Sequence, residues 1–298
     1  MSAFTNKLRF CAGCKVNLYL KIVDRRPDGY HTIESLFYPL ASPSDILTIT
    51  ELQPGEGFHL SCSVKELEDT HNILWKVYRS FGQETGCWPD IQIDLEKNIP
   101  LGSGLGGGSS DAAVLLKYLW NHFSNQDQIV RAQNGNTLIS VAQKIGADVP
   151  FFLKNKPAWV TGIGETIEPV AQDLSDYSVF VICPDFSVAT SSAYALWDQT
   201  HLQFGAKSSQ GRDLTRELEM FKASFCATGK LFTNSFERVL FPRFPQLRKI
   251  KREVLRCGAS ACVLSGSGSS CLALVQTHKI QKRLQRLLSQ AQIKYFLN

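Results

Sequence analysis

No uninterrupted apolar run approaches the roughly 18 residues a membrane-spanning helix needs, so the 298-residue chain contains no candidate span. The opening stretch, MSAFTNKLRFCAGCKVNLYLKI, has no long apolar centre and carries Lys15 and Lys21 among its hydrophobics. It therefore does not read as a secretory leader, and a cytoplasmic setting is expected. Cysteine follows no paired pattern: nine residues, an odd count, are scattered along the chain, as expected of reduced thiols. Cys11-x-x-Cys14 has no second Cys pair or paired His to complete a zinc site, which leaves small, partly buried cysteines in a strand. There is no internal repeat, no low-complexity tract and no Gly/Ser linker to announce a domain boundary.

What is present describes an ordinary globular chain: 44% apolar and 20% charged residues exclude a disordered or collagen-like polymer. The length favours two domains, with the boundary expected near residues 155–158. The net charge of +5 is uneven. Residues 1–158 carry 15 basic and 16 acidic side chains, whereas residues 159–298 carry 17 and 11. Much of the surplus falls in 243–256 and 279–286, where Leu247, Ile250 and Val254, then Ile280, Leu284, Leu287 and Leu288, recur at helical spacing. The bases then occupy solvated faces, and no aromatic residues are interleaved as a nucleic-acid surface would require. Strands are expected at 16–23, 46–50, 58–62, 91–95, 177–183, 261–264 and 271–275. Helices are expected at 72–81, 111–120, 138–145 and 191–197, with Ser109 and Ser110 capping the second and Gly146 ending the third. Residues 121–136 read as a polar connection or short helix, and residues 24–31 as a turn between strands.

Glycine is average in total, 21 residues, but five of them fall between Gly102 and Gly108, where its usual frequency gives roughly half of one. This run follows an expected strand and opens an expected helix. Glycines let backbone N–H groups approach a ligand closely, and a helix start adds unpaired donors and a positive dipole end. Together they make an anion site suited to a polyphosphate. Gly102-x-Gly104-x-x-Gly107 matches the dinucleotide fingerprint in form. However, Asp127, about 20 residues on, lies in polar Ser124-Asn-Gln-Asp-Gln128 and does not end a buried strand. No Gly-Lys-Ser/Thr exists for a Walker loop, and the protein-kinase signatures His-Arg-Asp and Asp-Phe-Gly are missing.

The segment Pro100-Leu-Gly-Ser-Gly-Leu-Gly-Gly-Gly-Ser-Ser-Asp-Ala-Ala113 resembles the ATP-binding loop of the GHMP small-molecule kinases. Lys15-Val-Asn-Leu18 with Asp28-Gly-Tyr-His31, Gly146-Ala-Asp-Val-Pro-Phe151 and Leu264-Ser-Gly-Ser-Gly-Ser-Ser270 agree with the same family in the same order. The matches run from about residue 12 to 275, and they are most similar to the branch acting on a cytidine diphosphate-linked methylerythritol. The resemblance implies an α/β (α+β) two-domain architecture. A ribosomal-S5-like ATP-binding domain would cover 1–158, and a mixed αβ substrate-side domain 159–298. The active site would lie in the cleft, with Lys15, Gly104 and Asp148 from one side and Thr190 and Gly266 from the other.

The resemblance also implies roles. Pro100, Gly102, Ser103, Gly104, Leu105, Gly106, Gly107, Gly108, Ser109 and Ser110 would hold ATP, mostly through backbone N–H groups. Asn72 and Lys97 match positions near the adenosine, or are exposed polar residues flanking a helix and a loop. Asp148 would be the general base toward the substrate's 2-hydroxyl, with Lys15 beside it neutralising charge. Tyr30 would stack on the cytosine, His31 would hydrogen-bond it, and Asn17 would reach the erythritol or its phosphates. Thr190, Gly266 and Gly268 would face the diphosphate. Tyr194 would close a sandwich opposite Tyr30, or is a core-facing helix aromatic. Mg²⁺ is expected alongside ATP, but Gly106-Gly-Gly-Ser-Ser-Asp111 is one residue longer than the wider Gly-Leu-x-Ser-Ser-Ala wording and acidic, so its ligands are unassigned. A small-molecule substrate, no nucleic-acid or membrane partner, and a monomer or weak homodimer are expected. A GHMP kinase for mevalonate, homoserine or a sugar is the alternative. A third reading is a nucleic-acid binder using the glycine loop as a phosphate clamp.

Overall fold

The computed structural model describes residues 7–123, 138–203 and 232–298. The chain forms two compact units, each discontinuous in sequence. Unit 1 comprises Met1–Cys14, Pro39–Pro100 and Gly106–Lys156; unit 2 comprises Lys15–Tyr38, Leu101–Leu105 and Pro157–Asn298. Two long strands, β1 (Lys7–Arg25) and β2 (His31–Glu51), contribute residues to both.

In unit 1 the end of β2 pairs antiparallel with β4 (Ile91–Glu96), Ile46 opposite Glu96 and Glu51 opposite Ile91. β3 (Phe58–Cys62) runs parallel to β4, and such a pair needs a crossover, which α1 (Ile73–Thr85) supplies. α1 buries Leu74, Val77, Tyr78 and Phe81, the three- and four-residue spacing of one helix face. It packs on α2 (Gly107–Phe123) and α3 (Leu138–Ile145), and α2 also packs on α4 (Val149–Lys154). Ile49, Ile91 and Ile93 of the sheet and Leu115, Leu119, Val141 and Phe151 of the helices are fully or almost fully buried.

In unit 2 the start of β2 pairs antiparallel with β5 (Ala158–Gly162), which turns back into β6 (Thr166–Pro169). A second, all-antiparallel sheet is formed by β7 (Ser178–Cys183), β8 (Ala261–Leu264), β9 (Cys271–Val275) and β10 (Lys294–Leu297) in the order β10-β7-β9-β8. α5 (Thr190–Gln203), α6 (Glu237–Arg243), α7 (Pro245–Arg256) and α8 (His278–Gln290) belong to the same unit. Phe180, Ile182, Leu264 and Ala273 share its core with Leu240, Leu247, Val254, Leu284 and Leu288. The bases of α7 and α8 lie mainly on the side away from these leucines. Arg256, Lys279, Lys282, Arg283 and Arg286 line a surface groove together with Glu253.

The expected strands at 58–62, 261–264 and 271–275 and the helix at 138–145 match β3, β8, β9 and α3 residue for residue. Two expectations need correction. α2 begins at Gly107, so Ser109 and Ser110 lie inside its first turn and do not cap it. The strand expected at 46–50 is only the end of β2, which begins at His31 and runs through Pro39 and Pro43. The hairpin β5–β6, the edge strand β10 and the short α4 carry no sequence pattern long enough to announce them. Cys11 and Cys14 both lie in β1, as expected, but Cys14 is buried and Cys11 exposed, neither being partly buried. Asp127 and its polar neighbours lie outside the described residues.

Candidate active site

Unit 2 gathers most of the residues singled out above. Lys15 projects from β1 into the interior at 5% exposure. Its Nζ donates to Asn17 Oδ1 at 2.8 Å and sits 4.4 Å from the centre of the Phe37 ring. A buried ammonium is costly unless it is solvated by the protein, and these two contacts replace part of its water. Asn17 is held in turn: its Nδ2 donates to Ser35 Oγ at 2.8 Å, and its backbone N–H reaches Ser265 Oγ at 3.3 Å. The Asn17 amide thus orients Lys15, and both its oxygen and its nitrogen are engaged within the protein.

The first half of the glycine loop joins this cluster. Leu105 O accepts from the Lys15 N–H at 2.9 Å, and Ser103 O accepts from the Ser270 N–H at 3.2 Å. Gly104 has φ +78°, and a Cβ on it would run into the carbonyl oxygen of Ser265 while lying 3.2 Å from Gly268 N. The two glycine segments of the sequence, 101–105 and 264–270, therefore pack directly on one another. Asn234 fastens the second, donating through Nδ2 to Leu264 O and Gly266 O, each at 2.8 Å. Thr190 opens α5, and its hydroxyl meets Ser267 Oγ at 2.9 Å.

The turn 26–30 presents Tyr30 to solvent at 61% exposure. Asp28 Oδ1 accepts from the Tyr30 N–H at 3.1 Å. That bond, with Arg26 nearby, holds the Asp28 carboxyl below its usual range. His31 by contrast is buried: Nε2 lies 2.7 Å from Asp198 Oδ1, and its ring stacks on Tyr194, centroids 4.5 Å apart and 20° between planes. Tyr194 also packs edge-to-face with Phe236 at 4.9 Å. Tyr194 is thus a helix aromatic that contacts the core and stacks on His31. Asp198, which Arg25 also approaches at 3.5 Å, carries no sequence signal beyond its helix.

Unit 1 holds the second half of the loop and the remaining residues. The Ser110 N–H bonds Gly106 O at 3.0 Å, closing the first turn of α2. Helix geometry then leaves the N–H groups of Gly107, Gly108 and Ser109 without intrahelical acceptors. A Cβ on Gly107 would lie 3.0 Å from Ile99 Cγ2 and 3.2 Å from Asp45 Oδ2, so this backbone is held close to what lies beneath it. Asp148 is half-buried and immediately precedes α4, to which its side chain gives no cap hydrogen bond. Asn72 caps α1, its Oδ1 accepting from Leu74 N at 3.0 Å and its Nδ2 donating to Leu67 O at 2.8 Å. Lys97 is not an exposed loop residue. Its side chain is 5% exposed and its Nζ bonds Asp45 Oδ2 and, at 2.7 Å, Asp111 Oδ2. Among the described residues no cluster of three or more His, Cys, Asp and Glu side chains could hold a metal ion.

Sequence models of the GHMP kinase N-terminal and C-terminal domains match residues 72–156 and 218–293. The chain belongs to the GHMP kinase family. Membership makes it an ATP-dependent kinase with the family's two-part αβ architecture. It is 41% identical to a 4-diphosphocytidyl-2-C-methyl-D-erythritol kinase of Lawsonia intracellularis, over 89% of this chain and 88% of that one. A crystal structure of a 4-(cytidine 5'-diphospho)-2C-methyl-D-erythritol kinase superposes with a TM-score of 0.75 at 29% identity, covering 97% of this chain and 98% of the other. A homoserine kinase from Cytophaga hutchinsonii shares the fold with a TM-score of 0.65 at 17% identity, over 100% and 95% of the two chains.

Proposed function

We propose that this GHMP kinase phosphorylates the 2-hydroxyl of 4-diphosphocytidyl-2-C-methyl-D-erythritol, giving the 2-phosphate and ADP, in the methylerythritol phosphate route to isoprenoid precursors. The observation that carries the reading is the extent of likeness to relatives named for that activity, 41% identity along nearly nine-tenths of both chains. The geometry supports it. The N–H groups at the start of α2, which have no intrahelical acceptor, with Gly107 seated so closely on Ile99 and Asp45 that a side chain there would make them give way, fit an anion the size of a phosphate group. When bound, ATP supplies the γ-phosphoryl group. The loop Gly102–Ser110 binds and orients the phosphates, so that the transfer is driven by positioning and charge stabilisation.

Asp148 takes the proton of the attacking hydroxyl, assisted by the Lys15 ammonium, which Asn17 and Phe37 hold in place. Exposed Tyr30 offers a face to the cytosine, and His31, fixed by Asp198 and Tyr194, offers ring and backbone groups to its polar edge. Thr190 and the Gly266–Gly268 backbone stand toward the diphosphate. Mg²⁺ accompanies the nucleotide phosphates, and the eight described cysteines, none of them in a disulfide, suit a cytoplasmic enzyme. A coupled ADP-release assay over a panel of this substrate, mevalonate, homoserine and galactose tests the reading. Turnover is expected with the cytidyl compound alone, and Asp148→Asn should lose about 10²–10⁴-fold in kcat with ATP binding retained. Equal turnover of another alcohol, or an active Asp148→Asn enzyme, would sink it.

A further inference from the structure

We propose that Asp45, Lys97 and Asp111 form a positioning network that sets where the first turn of α2, and with it the row of phosphate-facing N–H groups, stands. The inference rests on the reading that this turn receives the phosphates of ATP. The three side chains come from three elements: Asp45 from β2, Lys97 from the exit of β4, and Asp111 from α2. All are buried, at 0%, 5% and 2% side-chain exposure. Each makes bonds that tie one element to another. Lys97 bridges the two carboxylates, while Asp45 Oδ1 accepts from the backbone N–H groups of Asn98 at 2.6 Å and Ile99 at 2.8 Å. Asn98 and Ile99 are the last residues before Pro100 and the glycine run. Asp111 lies one helical turn beyond Gly107, on the helix whose start supplies the donors.

Gly107 itself rests on this network, since a Cβ there would press on Ile99 and on Asp45 Oδ2. The cradle and the network therefore share a contact, and displacing one displaces the other. Stability alone does not explain the arrangement. A buried ion cluster is seldom more stable than apolar side chains of the same volume, whereas it does fix the direction in which each partner points. The charges are also apportioned to suit an anion site. Two carboxylates against one ammonium would leave a negative charge beneath the phosphates. Asp111 Oδ1 is buried with no hydrogen-bond partner, the position in which a carboxyl keeps its proton. The other titratable groups near this cluster are Cys62 of β3, whose thiol is pushed up by burial, and Glu68, which accepts from the Cys62 N–H.

The test separates positioning from folding by measuring both Michaelis constants. Asp45→Ala and Lys97→Gln are expected to raise KM for ATP about tenfold, the equivalent of one well-made hydrogen bond to a phosphate. KM for the alcohol substrate should stay within twofold. Asp111→Leu should raise KM for ATP similarly, and Asp111→Asn, which keeps the shape and the neutral hydrogen-bonding group, less than threefold. Thermal unfolding establishes which variants are folded at the assay temperature. Should Asp45→Ala fail to fold, Lys97→Gln, close in length and still able to hydrogen-bond, gives the same readout. Unchanged KM for ATP in folded Lys97→Gln, or an equal rise in both constants, overturns the proposal. Calorimetry of ATP with the wild-type chain keeps the two ideas apart. No binding there overturns the cradle and the network with it; wild-type binding that the variants leave untouched overturns the network alone.

Discussion

Replacing Asp111 by Asn should change the pH dependence of stability in a direction fixed by the burial of this carboxyl. Burial is the largest influence and raises its pKa. The Lys97 charge pulls it down and Asp45 pushes it up, and the balance stands at about 7 against the ordinary 3.8. Burial prevails because the single ammonium is shared between two carboxylates. For Lys97, burial acts to lower the pKa, but Asp111 and then Asp45 outweigh it and raise it. Between pH 4 and pH 7 the native Asp111 therefore holds a proton that the unfolded chain has released. Stability must then fall as pH rises through that window, by at most about 1.4 kcal/mol per pH unit. From pH 5 to pH 7 the wild type should lose roughly 2–3 kcal/mol through this one group. Asp111→Asn has no such proton, so its deficit relative to wild type should shrink, or become a gain, by that amount over the same interval. Urea unfolding of both proteins at pH 5, 6, 7 and 8 measures this difference, and other titrating groups cancel in the comparison. Parallel curves, or a variant that gains relative stability toward acid, would refute the assignment of a neutral Asp111.

Two further substitutions follow from the packing around the site. Gly104→Ala combines a left-handed backbone with a Cβ driven into the Ser265 carbonyl, so a loss of about 3 kcal/mol or more is expected. Thermal unfolding reads it, and a variant within 0.5 kcal/mol of wild type would mean that the two glycine segments do not pack as described. Asp198→Ala removes the carboxylate that fixes His31 Nε2, and KM for the cytidyl substrate should rise about tenfold while KM for ATP holds. Asp198→Asn, still able to accept from the ring, should recover most of the loss; an equal effect of both variants would assign Asp198 to folding alone.

The residues fall into two groups according to how their chemistry is written along the chain. Where function is carried by backbone, the local pattern suffices. The glycine run between β4 and α2 announces unpaired N–H donors because glycine frequency, strand exit and helix start all lie within twenty residues. Periodicity likewise reveals α1, α3, α7 and α8, whose buried faces repeat every three or four positions. Side-chain networks leave no such trace. Asp45, Lys97 and Asp111 are separated by 52 and 14 positions, and nothing in their neighbours distinguishes Lys97 from an exposed loop lysine. Asp198 is equally silent, reaching His31 across 167 positions. Tyr194 shows the consequence for a motif read singly. The segment alone does not foretell that its aromatic ring lies against His31 and Phe236, contacts that the fold supplies. The acidic Asp111 was nevertheless visible as a departure, a charged residue at a position where the wider family wording has Ala. Its physical meaning depends on Lys97 and Asp45 lying within bonding distance. A departure from a motif is thus best treated as a place where the protein has built something underneath it. Here the departure lies four residues after Gly107, one turn along the same helix, and at that spacing a side chain can brace the turn it follows.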